Sequence, residues 1–300
     1  MHSRPFHSDQ LASYLRYIET EIGADGMLRR IARSLIYPIT RIKPRLLILG
    51  AQKAGTTSLY NYLTTHPGII PNRSWKEIRF FDLPENYRQG MGWYLGGFPT
   101  RFEARGRITI DASPSNLYFP QIPALIRKHL GPDILMIALL RNPANRAYSG
   151  WKMYHSFGTN PDVAENNRLI ADRRSFAEAV TEEVSGRVDP HLYPYGYVGR
   201  GLYADQIENY FRVFNRRNLL FLDFRRLHND LDNLLDEVTD FLRVAPFTTD
   251  QKTQLTSERH NAGLDRTKSA EDEETMQTLR DFYRPHNVRL EELLGWKVDW

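Results

Sequence analysis

The chain has 300 residues, 41% hydrophobic and 25% charged, with a formal net charge of +4; that is room for one large α/β domain or two small ones, and a charge that suits anionic small ligands or an anionic surface and gives no case for nucleic acid. It has no cysteine, which excludes a disulfide framework, a thiolate nucleophile and a cysteine zinc site. No apolar run reaches the roughly 18 residues of a membrane span and Met1–Pro5 opens no signal-peptide core, so a soluble, cytoplasmic, bacterial-style protein is expected.

Residues 1–44 read as a basic amphipathic extension ahead of one domain at 45–300. Between residues 27 and 45 lie six basic residues and no acidic one. Met27, Leu28, Ile31, Leu35 and Ile36 recur at helical spacing, with Arg29, Arg30 and Arg33 off that stripe. Such a helix can lie on an anionic membrane or pack on the domain with its basic face in water. Peripheral membrane contact through residues 27–45 is therefore one of two open readings. Pro38 and Pro44 then bring the chain, extended, to the apolar strand Arg45–Leu49.

A glycine-bounded loop follows, Gly50-Ala51-Gln52-Lys53-Ala54-Gly55, and Thr56–His66 reads as a helix ended by Pro67-Gly68. Strand, glycine loop and helix make a phosphate cradle: backbone N–H groups converge, and the helix N-terminus adds partial positive charge. Lys53 adds a full charge, and Thr56, Thr57 and Ser58 offer hydroxyls. The Gly50-to-Gly55 spacing fits a Walker loop, but the residue after Gly55 is Thr56 where a kinase or ATPase needs lysine.

Residues 69–106 read as irregular and aromatic-rich around Lys76-Glu77-Ile78-Arg79-Phe80-Phe81-Asp82. A short strand at 107–111 ends in Asp111, which could pass for a magnesium-binding acid. A helix is expected over 122–130 and a fully buried strand over 134–140. Arg141 stands where that strand ends, and Ser149 lies eight residues on, two helical turns along one face. A guanidinium with a hydroxyl makes an anion clamp. Arg146, between them, reads as a surface or salt-bridge residue.

Further on, 156–174 reads as loop, 176–184 as helix and 184–201 as a loop dense in Gly, Pro and Tyr. Helix, strand and helix follow at 202–214, 219–223 and 226–242, then polar loop at 245–270. Two closing helices, 276–283 and 288–294, are separated by Pro285. Strands alternating with helices give an α/β fold, a parallel sheet covered by helices on both faces, with a ligand crevice at the carboxyl ends of the strands.

The form Q-K-A-G-T-T-S-L at 52–59 resembles the 5′-phosphosulfate loop of sulfotransferases, and R-N-P-A-N-R-A-Y-S at 141–149 resembles their 3′-phosphate site. The segment Glu77 to Asp82 is similar to the E-x-x-F-F-D of the carbohydrate type, heparan sulfate enzymes in particular. Gly201–Ile207 and Phe282–Asn287 resemble two further family segments, so the likeness runs from about residue 45 to Trp300. It implies a P-loop-like three-layer fold and 3′-phosphoadenosine 5′-phosphosulfate as cosubstrate, with no metal. It implies Glu77 as the base on the acceptor hydroxyl and Lys53 on the bridging oxygen of the leaving phosphate. Lys53, Ala54, Gly55, Thr56, Thr57 and Ser58 would hold the 5′-phosphate, Arg141 and Ser149 the 3′-phosphate. A basic loop carrying Arg259 and His260 would close over the latter. The chain departs from the heparan type at Ala112, where that family has lysine, and in lacking the cysteines that flank the closing loop.

A sulfotransferase acting on a hydroxyl is the reading these residues favour; the acceptor is expected to be a neutral or weakly charged glycan or glycolipid. Tyr193, Tyr195 and Tyr197 either stack on sugar faces or pack their loop. A P-loop kinase with Asp111 on magnesium, and a non-catalytic nucleotide-binding module docked through its basic N-terminus, are the alternatives. Nothing in the sequence fixes an oligomeric state.

Overall fold

The computed structural model describes residues 35–74, 76–187, 189, 195–257 and 268–300. Among them, β1 (Leu46–Gly50), β2 (Ile69–Ile70), β3 (Ile108–Ala112), β4 (Leu135–Leu140) and β5 (Leu219–Asp223) form a parallel sheet in the order β2-β3-β1-β4-β5. Every residue of β1 and β3 is buried, because helices cover both faces; β3 carries Thr109 and Asp111 there, with their polar groups hydrogen-bonded. Pairing of Leu46 with both Ile110 and Leu135 aligns the strands, so the carboxyl ends of β1, β3 and β4 share one edge. The chain fills one side of β1 with β2 and β3, then crosses to β4 on the other. The order reverses at β1, which is where a doubly wound sheet leaves a crevice.

In chain order the helices are α1 (Thr56–Thr64), α2 (Pro84–Arg88), α3 (Gly90–Gly96), α4 (Arg101–Ala104), α5 (Ile122–Leu130), α6 (Pro143–Ser156), α7 (Glu165–Arg168) and α8 (Phe176–Val184). They continue with α9 (Tyr203–Phe211), α10 (Arg226–Asn229), α11 (Leu231–Leu242), α12 (Thr249–Ser257) and α13 (Ala270–Leu294). One apolar cluster wraps the sheet. A second is built by α6, α8, α13 and the segment 195–198, around Trp151, Tyr154, Phe176 and Tyr283.

Several expectations are corrected. Residues 69–106 are not irregular: they hold β2 and three short helices, too short to show a 3.6-residue period. The signature of α4 was nonetheless in the sequence, a capping box in which Thr100 and Glu103 satisfy each other's backbone N–H groups. The helix expected over 226–242 is interrupted at Asp230 (φ −152°, ψ 45°), and the polar stretch 245–270 contains α12. The two C-terminal helices are one, with Pro285 inside α13; packing of Tyr283 and Leu290 on either side outweighs the one lost hydrogen bond. Arg146 is wholly buried; its Nη2 donates to the Tyr197 carbonyl at 2.9 Å. Tyr195 and Tyr197 offer no face to a sugar: both are buried, and Tyr197 donates to Asp172 Oδ2 at 2.9 Å. Tyr193 lies outside the described residues, as do residues 27–34.

Residues 35–40 are helical, but Leu35 (67% exposed) and Ile39 (72%) do not pack on the domain. No described helix is long and apolar enough to cross a membrane.

Candidate functional site

The loop after β1 is shaped by its two glycines. A side chain at Gly50 would come within 2.8 Å of the Pro114 carbonyl. Gly55 has φ +80°, and a Cβ there would lie 2.4 Å from Leu227 and 3.0 Å from the Phe224 ring. Gly55 is also the N-cap of α1 and supplies no side-chain acceptor, and the first turn holds no acid. In contrast α4, α8 and α13 begin with capping boxes that satisfy their own N–H groups. The amides at the start of α1 are thus left for an anion. Thr56 is buried there, Ser58 half-buried and Thr57 exposed; Ala54 is buried under the loop.

Lys53, at φ +68°, points its amine toward α6, with Nζ 3.6 Å from Met153 Sδ. Arg141 reaches from the end of β4 into the same loop, donating Nη1 to the Lys53 carbonyl at 2.9 Å, with its guanidinium 4.8 Å over the Phe224 ring. The two anion motifs, 88 residues apart, therefore meet. Ser149 is one turn before Met153 on α6, so it shares the helix face that Lys53 touches.

Among the described residues, neither Lys53 nor Arg141 has a salt bridge within 4.0 Å. Burial pushes the Lys53 amine below the usual lysine range; Arg141 and Arg146 push it the same way, and Glu77 opposes them. Burial likewise lowers Arg141, with Arg146 adding to it and Tyr203 opposing. Like charges gathered in a half-buried loop are stabilised by a bound anion.

Glu77 is partly exposed and accepts from Lys76 Nζ at 3.1 Å. Its segment is braced by Arg79, which forms a two-nitrogen pair with the buried Asp82 at 2.8 and 2.6 Å. Phe80 and Phe81 are core residues packed on Tyr94. Asp111 is fully buried, and both of its oxygens are taken by hydroxyls: Tyr94 at 2.9 Å and Ser113 at 3.0 Å. A magnesium-binding role for it finds no support in that arrangement, and among the described residues no cluster of His, Cys, Asp and Glu has the geometry of a metal site. Arg259 and His260 lie outside the described residues.

Met153 and Phe224 were not singled out in the sequence; Ser113 stands in the Asp111–Ser115 segment, but its bond to Arg79 joins residues 34 apart.

A family model described as a sulfotransferase domain matches residues 43–291. The chain is 30% identical over 270 residues to the mouse bifunctional heparan sulfate N-deacetylase/N-sulfotransferase 4, covering 84% of this chain and 30% of that protein. It is 28% identical over 273 residues to the human heparan sulfate glucosamine 3-O-sulfotransferase 3B1, covering 86% of this chain and 65% of the relative. The chain thus spans less than two thirds of either. A solved sulfotransferase from Alicyclobacillus acidocaldarius superposes with a TM-score of 0.64 at 24% identity, covering 86% of this chain and 98% of that one.

Proposed function

The chain belongs to the sulfotransferase-domain family, and from that premise we propose that it moves a sulfuryl group from 3′-phosphoadenosine 5′-phosphosulfate to a hydroxyl of a glycan or glycolipid. The observation that carries this reading is the bond between Arg141 and the Lys53 carbonyl. It joins two anion sites, as a donor with both a 5′-phosphosulfate and a 3′-phosphate requires. ATP needs only one.

The donor supplies an activated sulfuryl group with a bisphosphate leaving group. Lys53, the α1 amides and the Thr56, Thr57 and Ser58 hydroxyls meet the charge that develops on the leaving oxygen. Arg141 and Ser149 hold the 3′-phosphate. Glu77 takes the acceptor proton as the new O–S bond forms and the S–O bond to the 5′-phosphate breaks. A weakly charged acceptor is favoured because position 112 is a buried alanine where the heparan type carries lysine. The test is transfer of radioactive sulfur from the donor to a panel of neutral and polyanionic glycans, with ATP-magnesium as control. Transfer to a neutral glycan is expected. Phosphoryl transfer from ATP without sulfuryl transfer would overturn the assignment, and preference for polyanions that fades with salt would overturn the acceptor class.

Peripheral membrane contact is a second element of the reading. Leu35, Ile36, Ile39 and Phe102 are exposed, and Arg101 and Arg105 stand beside two of them. Arg101 donates to the Ile39 carbonyl at 3.0 Å, and the Arg105 guanidinium lies 5.6 Å from the Phe102 ring. An apolar patch rimmed by arginine suits an anionic lipid surface. It sits at the amino ends of β1 and β3, a strand length (roughly 16 Å) from the donor loop. Contact there would turn the crevice away from the bilayer, which favours a soluble glycan over a lipid in the same leaflet.

A further inference from the structure

Glu77 lies in a segment, 77–79, with no helix or strand of its own. A general base must be held within hydrogen-bond reach of its proton, and an irregular segment has no ladder to do this. Its main chain is fixed from outside. The Arg79 N–H donates to Ser113 Oγ at 3.0 Å, and Ser113 Oγ donates to Asp111 Oδ1 at 3.0 Å. Tyr94 secures the other Asp111 oxygen at 2.9 Å. On the far side, Asn86 Nδ2 donates to the carbonyls of Ile78 and Arg79 at 3.1 and 3.2 Å. Arg79 itself has φ +56°, a conformation that side-chain-bearing residues hold only when their surroundings impose it.

We propose that Ser113 is a positioning residue for the base: with Asp111 behind it, its hydroxyl fixes the main chain of Arg79 and so aims Glu77 at the acceptor. The proposal rests on the reading of Glu77 as the base. Its physical content lies in where Ser113 stands. It follows the last residue of β3, and β3 pairs directly with β1 through Ile48 and Ala112. β1 delivers the donor loop at the same edge. The spacing between Lys53 and the base segment is thus set by strand register plus one hydroxyl. Removing that hydroxyl takes the partner from a part-buried N–H and frees the segment to move. Asn86 is a less informative probe, because it grips two carbonyls at once and sits inside α2.

The experiment is a double-mutant cycle of Ser113→Ala and Glu77→Gln, reading kcat, acceptor KM and the Kd for adenosine 3′,5′-bisphosphate. Ser113→Ala is expected to lower kcat about tenfold to a hundredfold, as a displacement on the order of 1 Å does. The bisphosphate Kd should stay within about twofold of wild type, because donor contacts come from β1 and β4 and not from this segment. In the Glu77→Gln background the same substitution should cost less than about twofold more, since there is no base left to aim. An equal loss in both backgrounds would overturn the proposal, because Ser113 would then act without Glu77. Loss of bisphosphate binding in Ser113→Ala would overturn it too, by showing that Ser113 serves the fold. A Glu77→Gln enzyme as fast as wild type would remove the base and this proposal together, and the unchanged single-mutant rate sets that failure apart from the other two.

Discussion

Lys53 is a cation held among cations, and its partners give each charge a separable role. In the proposed reading Arg141 meets charge present in the donor before reaction, so Arg141→Ala should weaken bisphosphate binding roughly tenfold to a hundredfold, the size of a charged hydrogen bond. With Glu77 as the proposed base on the acceptor, Glu77→Gln should leave that affinity nearly intact while lowering turnover by about 10² or more. Isothermal titration of both variants checks this; equal losses would make Glu77 a structural partner. Asp111 gives a second handle. Burial pushes its carboxyl from 3.8 up to about 7, with the nearby Asp82 and Glu77 adding to the rise and the Tyr94 and Ser113 hydroxyls opposing it. The folded protein therefore holds a proton that the unfolded chain releases near pH 4. Its contribution to stability is fully present below pH 4 and is lost as pH rises through about 7; over that range it is worth on the order of 4 kcal/mol at most. Asp111→Asn should flatten the change in urea midpoint between pH 5 and pH 8, and parallel curves for the two proteins would contradict the assignment.

Among the elements, the loop and first turn of α1 are the most constrained. Gly55 combines φ +80° with Leu227 and Phe224 packed where a Cβ would go. Gly55→Ala should cost about 2 kcal/mol or more and abolish bisphosphate binding, because relief of the clash moves the amides that hold the phosphate. Calorimetry with and without bisphosphate reads both effects. The opposite case is α13, where Pro285 is exposed inside a helix. Pro285→Ala should stabilise by about 1–3 kcal/mol, since alanine restores the helical N–H without a clash. A lowered Tm would mean that Pro285 is needed by the packing on α6 and α9.

At the scale of the whole molecule, the two anion sites come from the two sides of the point where the strand order reverses. A ligand that spans both should stabilise the protein more than one that fills a single site. Adenosine 3′,5′-bisphosphate at 100 times its Kd should add about 2.7 kcal/mol, and AMP at the same concentration much less. Equal thermal shifts would remove the second site. The strand–helix alternation, the glycine-bounded turn and the strand end before Arg141 were legible in the chain itself because each is read from neighbouring residues. Short apolar runs bounded by turn residues read as strands buried on both faces, a glycine pair between strand and helix marks a tight turn, and Pro143 after Arg141 starts a helix at a strand end. Tertiary structure alone decided the rest. That Arg141 grips the Lys53 carbonyl, that Met153 and Phe224 wall the loop, that Ser113 hooks Arg79, and that Arg146, Tyr195 and Tyr197 are buried all depend on contacts between residues far apart in sequence. Periodicity and spacing report which face of an element is apolar. Which distant element covers that face is set by strand order and packing, and those are fixed only when the whole chain has folded.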